Sequence, residues 1–514
     1  MTSIDFAICI VYLLFVLALG WWCSGKQETN EDYFVGSRKM NWFAVGVSLF
    51  ATTFSALSFV GLPQKAAFED YHLFLAILFI PLVGAPLVGW LLIPLYQRLR
   101  LTSAYEYLEL RFDRRLRLVG SLLASLYALG WMGSMLYATC LILQVVLQLS
   151  DWQMFGVLIG VGLFTTVYTT IGGFKAVIWT DVTQALVLSV GMLLVVWLAV
   201  ARIPGGWSTV WTVGNAHERF NMFDMKFDLY NSRNFYAACS YGVFAYVASQ
   251  ATSQNAVQRY VSMPSVGAAR ASLVVNGFMI AAVCLLFFLV GSVIFAYYHH
   301  ALPLEAVAGS GFPQHHEFAV NGEEVAIKPD QLAPYFIQHE LAAPGLMGLL
   351  LSGLFAAVMS SIDSSANSLT TLLVCDWLGE EKLALRKTRW ICAGFGLLAI
   401  VSALLVPLLG NNVFDIIIRI AGALFGPLLG LFALGMFNPR ANGPGAFIGF
   451  LAGVVCLAVS FWCGISPWWF GAVTCMPTLL VGALASLFFP RPPAALTAGL
   501  VYPFTPPAKD GAAE

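Results

Sequence analysis

Runs of about 20 apolar residues, the length that carries a helix across a hydrocarbon layer, recur almost end to end along this chain. They fall near 4–23, 42–66, 73–96, 117–148, 154–171, 177–201, 235–255, 271–298, 344–372, 389–410, 414–437, 445–463 and 468–489. The pattern predicts an all-α integral membrane protein of about 13 transmembrane helices. Its two longest polar stretches, near 203–234 and 300–343, read as loops, and no room is left for a large separate soluble domain.

Three of the apolar segments carry polar clusters at membrane depth. One reads Ser48-Leu49-Phe50-Ala51-Thr52-Thr53-Phe54-Ser55-Ala56-Leu57-Ser58-Phe59-Val60-Gly61-Leu62-Pro63, and another Ser249-Gln250-Ala251-Thr252-Ser253-Gln254-Asn255. Single hydroxyls of this kind glue neighbouring helices. Whole clusters at matching places in two halves point instead to broken helices around a central site.

Five helices from 42 to 201 and five from 235 to 437 fit two five-helix repeats of opposite orientation. The expected organisation is an extra helix and inner loop over 1–41, a first repeat over 42–202 and an outer loop over 203–234. A second repeat follows over 235–437, with its outer loop at 300–343, and then two helices and a cytoplasmic tail over 438–514.

The third cluster, Ser360-Ser361-Ile362-Asp363-Ser364-Ser365, follows an apolar segment that starts at Pro344. An Asp at the centre of a bilayer helix costs about 2.5–3.5 kcal/mol on insertion scales, so it marks function. Five oxygen-bearing side chains in six positions point to a cation.

Composition agrees with the pattern. Of 514 residues 59% are hydrophobic and 10% charged, and mean hydropathy is +0.80; a soluble domain carries about 25% charge. The net charge of −1 gives no nucleic-acid signal, and membrane lipid is the partner that composition implies. With the N-terminus outside, the inner loops hold most basic residues, among them Arg38, Lys39, Arg98, Arg100, Arg111, Arg117, Lys175, Arg259, Arg270, Arg386, Arg389 and Arg440. The outer side keeps Lys65, Arg202, Arg219, Lys226, Arg233 and Lys328. This bias places the protein in the cell membrane, N-terminus outside and C-terminus cytoplasmic.

The first apolar run has no basic stretch before it and reads as a retained helix. The ten cysteines sit mostly inside apolar runs and form no CxxC pair, which supports neither zinc nor a disulfide framework. His299-His300 and His315-His316 share one loop, as solvated residues or a loop metal site. Ser and His lie at different membrane levels, so no catalytic constellation forms and an enzyme is not expected. Arg419 is set early in an apolar run with Asp415 four residues back. It either snorkels to the interface or faces an aqueous cavity and an anion.

Several blocks are familiar: 101–112 (LTSAYEYLELRF), 172–184 (GGFKAVIWTDVTQ), Val257-Gln258-Arg259-Tyr260, Asp330-Gln331-Leu332-Ala333-Pro334-Tyr335 and 426–435 (GPLLGLFALG). Through them the chain resembles the sodium:solute symporter family, particularly its sodium-coupled monocarboxylate and multivitamin transporters. Ala51-Thr52-Thr53 and Ser55-Ala56 are similar to bacterial sialic-acid symporters.

The resemblance implies a LeuT-like core of two inverted repeats, with Na+ as the coupling ion and no other cofactor. For sodium it implies carbonyls of Ala51, Phe54 and Ala357 and hydroxyls of Ser360 and Ser361. A second sodium site would use Asp181, Ser360, Asp363 and Ser364. Sialic-acid members have Ser where this chain has Asp363, which implies either a stronger second site or partial proton linkage. For solute it implies Thr53, Ser55 and Ser58. Trp131-Met132-Gly133 stands where sialic-acid members place a carboxylate-binding Arg before Met-Gly, which argues against sialic acid. Arg419 is then the candidate for a carboxylate, and Trp131 is either an apolar wall or plain packing. The expected function is sodium-coupled import of a small organic anion, with a sugar, sialic acid or other neutral polar solute as the alternative.

Overall fold

The computed structural model describes the backbone except at residues 1, 25–26, 28, 55, 302–315, 321–322, 328–331, 342, 380–382, 410–412 and 504–514. Side chains are described except at those positions and at 24, 56–57, 145, 300–301, 316–320, 323–327, 409, 413–423 and 495–496. Among the described residues, nine helices are long and apolar enough to cross a membrane, and one bent pair is a further candidate.

The elements that build the centre are α1 (Ser3–Ser24), α2 (Trp42–Thr53), α3 (Ala56–Phe68), α4 (Arg114–Leu147) and α5 (Asp151–Ala201). They continue with α6 (Tyr246–Thr252), α7 (Gln254–Val261), α8 (Val266–Ala301), α9 (Leu346–Leu372), α10 (Leu385–Leu405) and α11 (Val413–Phe437). Of the nine spans, the one containing α9 is 83% buried, against 56% or less for the others. The helix with the most serines is therefore the central one.

Both segments expected to break do so. α2 stops at Phe54 (φ −84, ψ 128) and α3 begins two residues later; α6 stops at Ser253 (φ −76, ψ 127) and α7 follows at once. A helix end inside a bilayer must satisfy its free carbonyls within the protein. Here the Tyr96 and Tyr105 hydroxyls donate to the carbonyls of Ala251 and Thr252, the last of α6. Ser360 Oγ donates to Ala51 O at 3.1 Å. Gln254 and Gln258 pin α7 by donating to Thr102 O at 2.8 Å and to Phe34 O and Asn367 Oδ1.

The two runs expected at 154–171 and 177–201 form one 51-residue element, α5, with a reversal inside it at Gly173 (φ 57, ψ −163). Gln144 donates to Asp151 at one end, and Arg202 donates to Leu341 O at the other. Val146 and Ile337, next to those ends, line one apolar pocket. The chain thus enters and leaves α5 on the same side, with no loop at the far end.

One expectation gains detail and one needs correction. The outer loop 300–343 contains an antiparallel hairpin, β1 (His316–Val320) with β2 (Glu323–Ile327), Val320 opposite Glu323. Asn321-Gly322 between them is a strong hairpin signal in the sequence. Arg259, assigned above to an inner loop, is only 1% exposed and lies in the core.

α1 docks on the central helix through Asp5, whose Oδ1 accepts from Gly348 N at 2.9 Å, and Cys9, whose Sγ donates to Gly348 O at 3.3 Å. Arg117 bridges Asp376 at 2.7 Å and Glu109 at 2.6 Å, and Ser103 donates to Asp376 at 2.8 Å.

Gly173→Ala is expected to destabilise the protein. Its backbone region is essentially glycine-only, at a cost of about 1–3 kcal/mol for other residues, and a Cβ would sit 2.7 Å from Tyr33 Cδ2. A lower thermal unfolding temperature in detergent, at unchanged helix content by circular dichroism, is the expected result.

Candidate ion and solute site

α2 and α9 meet where α2 ends. Ser360 Oγ donates to Ala51 O and to Ala357 O, both at 3.1 Å, and Ser361 Oγ donates to Ala357 O at 3.1 Å. Ala51, Ala357, Ser360 and Ser361, four of the five residues expected around sodium, are thereby joined. Phe54, the fifth, has left helical geometry at the break, while its N–H still bonds Phe50 O at 2.9 Å.

The expected second site has a different arrangement. Asp181, Asp363 and Ser364 are all buried, but a guanidinium lies between Asp181 and Ser364. One Arg259 nitrogen donates to Asp181 Oδ2 at 3.0 Å, to Ser364 Oγ at 2.7 Å and to Thr52 Oγ1 at 2.6 Å. Arg259 Nε donates to Ser48 Oγ at 2.8 Å, and Ser48 Oγ donates in turn to Asp181 Oδ2. Asp363 accepts from the Tyr168 hydroxyl at 2.6 Å and from Ser364 Oγ at 3.3 Å. Ser360 turns to the Ala51 side instead.

Sequence reasoning found both carboxylates and missed their counter-ion. The signal was there, since a carboxylate at membrane depth calls for a named partner, and Arg259 stands in one of the quoted blocks.

Both helix breaks open on one cavity of ≈ 80 Å³. Thr52 and Thr53 line it from α2, Ser249, Gln250 and Ser253 from the α6 end, and Asn255 and Arg259 from α7. Tyr127, Trp131 and Phe425 form an aromatic wall, with Tyr127 stacked on Trp131 (5.9 Å between ring centres) and 4.5 Å from Phe425. Trp131 is thus a wall residue. Thr53 lines the cavity, and Ser58, half-buried in α3, is not among its lining residues. Ser55 lies outside the described residues, as does the Arg419 side chain, although its backbone belongs to α11. Tyr127, Gln250, Asn255 and Phe425 also line the cavity and were not among the residues expected for solute.

The chain matches the model of the sodium:solute symporter family over residues 33–453. It belongs to that family. As a sodium:solute symporter it is a multi-pass membrane protein that moves a small solute together with Na+, in a family of transporters and not of enzymes. It is 34% identical to the sodium-dependent multivitamin transporter of Oryctolagus cuniculus over 474 residues, covering 90% of this chain and 70% of that protein. It is 31% identical to the sodium/sialic acid symporter SiaT of Proteus mirabilis over 500 residues, covering 95% and 96%. The solved substrate-bound, outward-open state of a Na+-coupled sialic acid symporter superposes with TM-score 0.83 at 29% identity, covering 95% of this chain and 99% of that one. The LeuT-like symporter fold is thus present.

Removing Arg259 would leave Asp181 buried without its cation. Breaking such a pair costs about 3–5 kcal/mol, so Arg259→Met is expected to lower the unfolding temperature sharply. Arg259→Lys should recover only part of the loss, because an ammonium cannot reproduce the fork. Denaturation of the two purified variants beside wild type gives the comparison.

Proposed function

We propose that this symporter imports a small organic anion of the monocarboxylate type, from an outside N-terminus to a cytoplasmic C-terminus, by alternating access. The observation that carries the reading is that both helix breaks open on one aromatic-walled cavity beside the Ala51–Ser360 contact.

Sodium is assigned to the carbonyls of Ala51, Phe54 and Ala357 and the hydroxyls of Ser360 and Ser361. These hydroxyls now donate to Ala51 O and Ala357 O. When the ion enters, their hydrogens turn away and the same oxygens become ligands for a hard cation. Binding there would tie α2 to α9, close the first break and shape the solute pocket.

The N-termini of α3 and α7 lie at the two breaks, and their dipoles favour a carboxylate. Thr53, Ser55 and Ser58 are assigned to the polar end of the solute and Trp131 to its apolar part. Arg259 is already committed to Asp181. Arg419, in the same helix as Phe425, is the remaining cation proposed for the carboxylate.

The repeats 42–202 and 235–437 would supply the rocking bundle and its scaffold. With two sodium ions and one anion, one net charge moves inward, driven by about 2.3 kcal/mol per 100 mV. A second reading, a neutral sugar, sialic acid or similar polar solute, is favoured by the Ser249, Gln250, Ser253 and Asn255 lining.

Uptake into proteoliposomes under an inward sodium gradient separates these readings. Competition by short monocarboxylates and not by sugars or sialic acid is expected; the reverse pattern would replace the first reading with the second. Ser361→Ala should weaken sodium activation by about 10–100-fold, the range for groups that tune metal affinity. Trp131→Ala should raise the solute KM and leave sodium activation unchanged.

A further inference from the structure

His299 lies in the last turn of α8, in one of the two histidine pairs for which the sequence leaves a metal site open. Its structural partner is one that no local spacing reveals. His217, 82 residues away, closes the short helix Trp207–Ala216, and its Nε2 meets His299 Nε2 in a hydrogen bond. The ring centres are 4.4 Å apart, with the planes at 47°. One phenyl ring holds both imidazoles in place. Phe295, four residues before His299 and so on the same face of α8, meets His217 edge-on at 5.5 Å and His299 at 5.8 Å.

A hydrogen bond between two imidazole nitrogens needs one ring as acceptor, and that ring is neutral. Partial desolvation, then His299 and Arg219, hold His217 below the ordinary histidine range, so at neutral pH its lone pair is available. The neighbouring cation has its own partners: Arg219 lies over the Phe295 ring at 4.5 Å and donates to Glu69 O at 3.0 Å. His72 and His339 are engaged differently, His72 with Asp70 at 2.9 Å and His339 Nδ1 with Tyr335 O at 3.1 Å. Among the described residues, the His217–His299 contact alone brings two imidazole nitrogens together.

We propose that His217 Nε2 and His299 Nε2 together bind a divalent transition-metal ion of the zinc or copper class, with water completing its coordination. Neutral imidazole is a preferred ligand of these ions, whereas hard cations such as Mg2+ take oxygen. On a tetrahedral zinc the two nitrogens stand about 3.3 Å apart, each about 2.0–2.1 Å from the ion. Small side-chain rotations reach that spacing from contact, since His217 is exposed and His299 half-buried. The ion takes the place of the hydrogen between the rings. The ring that donates it regains a hydrogen on Nδ1 through water, so both stay neutral. Among the described residues no third His, Cys, Asp or Glu completes a metal cluster, which makes this a solvent-open, exchangeable clasp. It ties the helix Trp207–Ala216, in the 203–234 connection, to the end of α8.

The test uses tag-free, full-length protein in nanodiscs, wild type beside His217→Gln, His299→Gln and the double variant. With ZnCl2 added, equilibrium dialysis should show one zinc fewer on the double variant than on wild type. Either histidine alone should hold that ion about 100-fold more weakly or worse, because linking two binding groups gains about 100–10,000-fold. MgCl2 should not displace the zinc. In wild type, zinc should also shield His217 and His299 from diethylpyrocarbonate, read residue by residue by mass spectrometry and reversed by EDTA. Equal zinc stoichiometry and affinity in wild type and the double variant would overturn the proposal, and so would a pair that zinc leaves unshielded. The shielding readout needs no variant, so it decides the matter even where a substitution unsettles the fold.

Discussion

A charge buried in a membrane protein has no bulk water to turn to, and in this chain the Arg259–Asp181 pair is where that constraint is met. The guanidinium comes from α7, the carboxylate from α5, and the hydroxyls around them from α2 and α9. Four helices are held in register by one side chain. A buried pair of this kind adds little net stability compared with an apolar filling, but losing one partner is costly. Its value lies in register: α2 and α7 each follow or precede a break and would otherwise be free to slide. Because Arg259 also lines the cavity at the two breaks, the buried pair and that cavity share a wall.

The breaks themselves depend on borrowed partners. Tyr96 and Tyr105 cap the end of α6 from elsewhere in the chain, and Ser360 caps Ala51 from α9. A helix that unwinds in lipid does so only where other elements have polar groups waiting. This gives physical content to the block 101–112: its Tyr105 and Ser103 serve the break and the Asp376 cluster, respectively.

How much of this was legible varied with the kind of signal. Apolar run length pointed to membrane-crossing helices, nine of them long and apolar enough among the described residues, and clustered hydroxyls pointed to both breaks, because each is a local property of a few consecutive residues. Ser360 against Ala51 followed from family resemblance, since nothing within one helix says which neighbour it will touch. Arg259 was misplaced because counting basic residues by loop treats every Arg as a topology marker, and this one is a counter-ion. Tyr127 and Phe425 escaped because helix rotation about its own axis, set by tertiary packing, decides which side chains meet the cavity. The β-hairpin was missed although Asn321-Gly322 advertised it; its flanking strands were read only as part of a polar loop.

The reversal at Gly173 has a mechanical meaning. Two membrane-crossing segments joined by an ordinary loop can shift relative to each other, because the loop takes up the difference. Here the turn is a single residue, packed against Tyr33, with Gln27 donating to Gly172 O. There is no slack. Any tilt of the first half of α5, which bears Tyr168 on Asp363, is transmitted to the second half, which bears Asp181. The two carboxylates are thus carried on one stiff hairpin and its central neighbour, and the distance between them changes only if α9 moves against α5 as a whole.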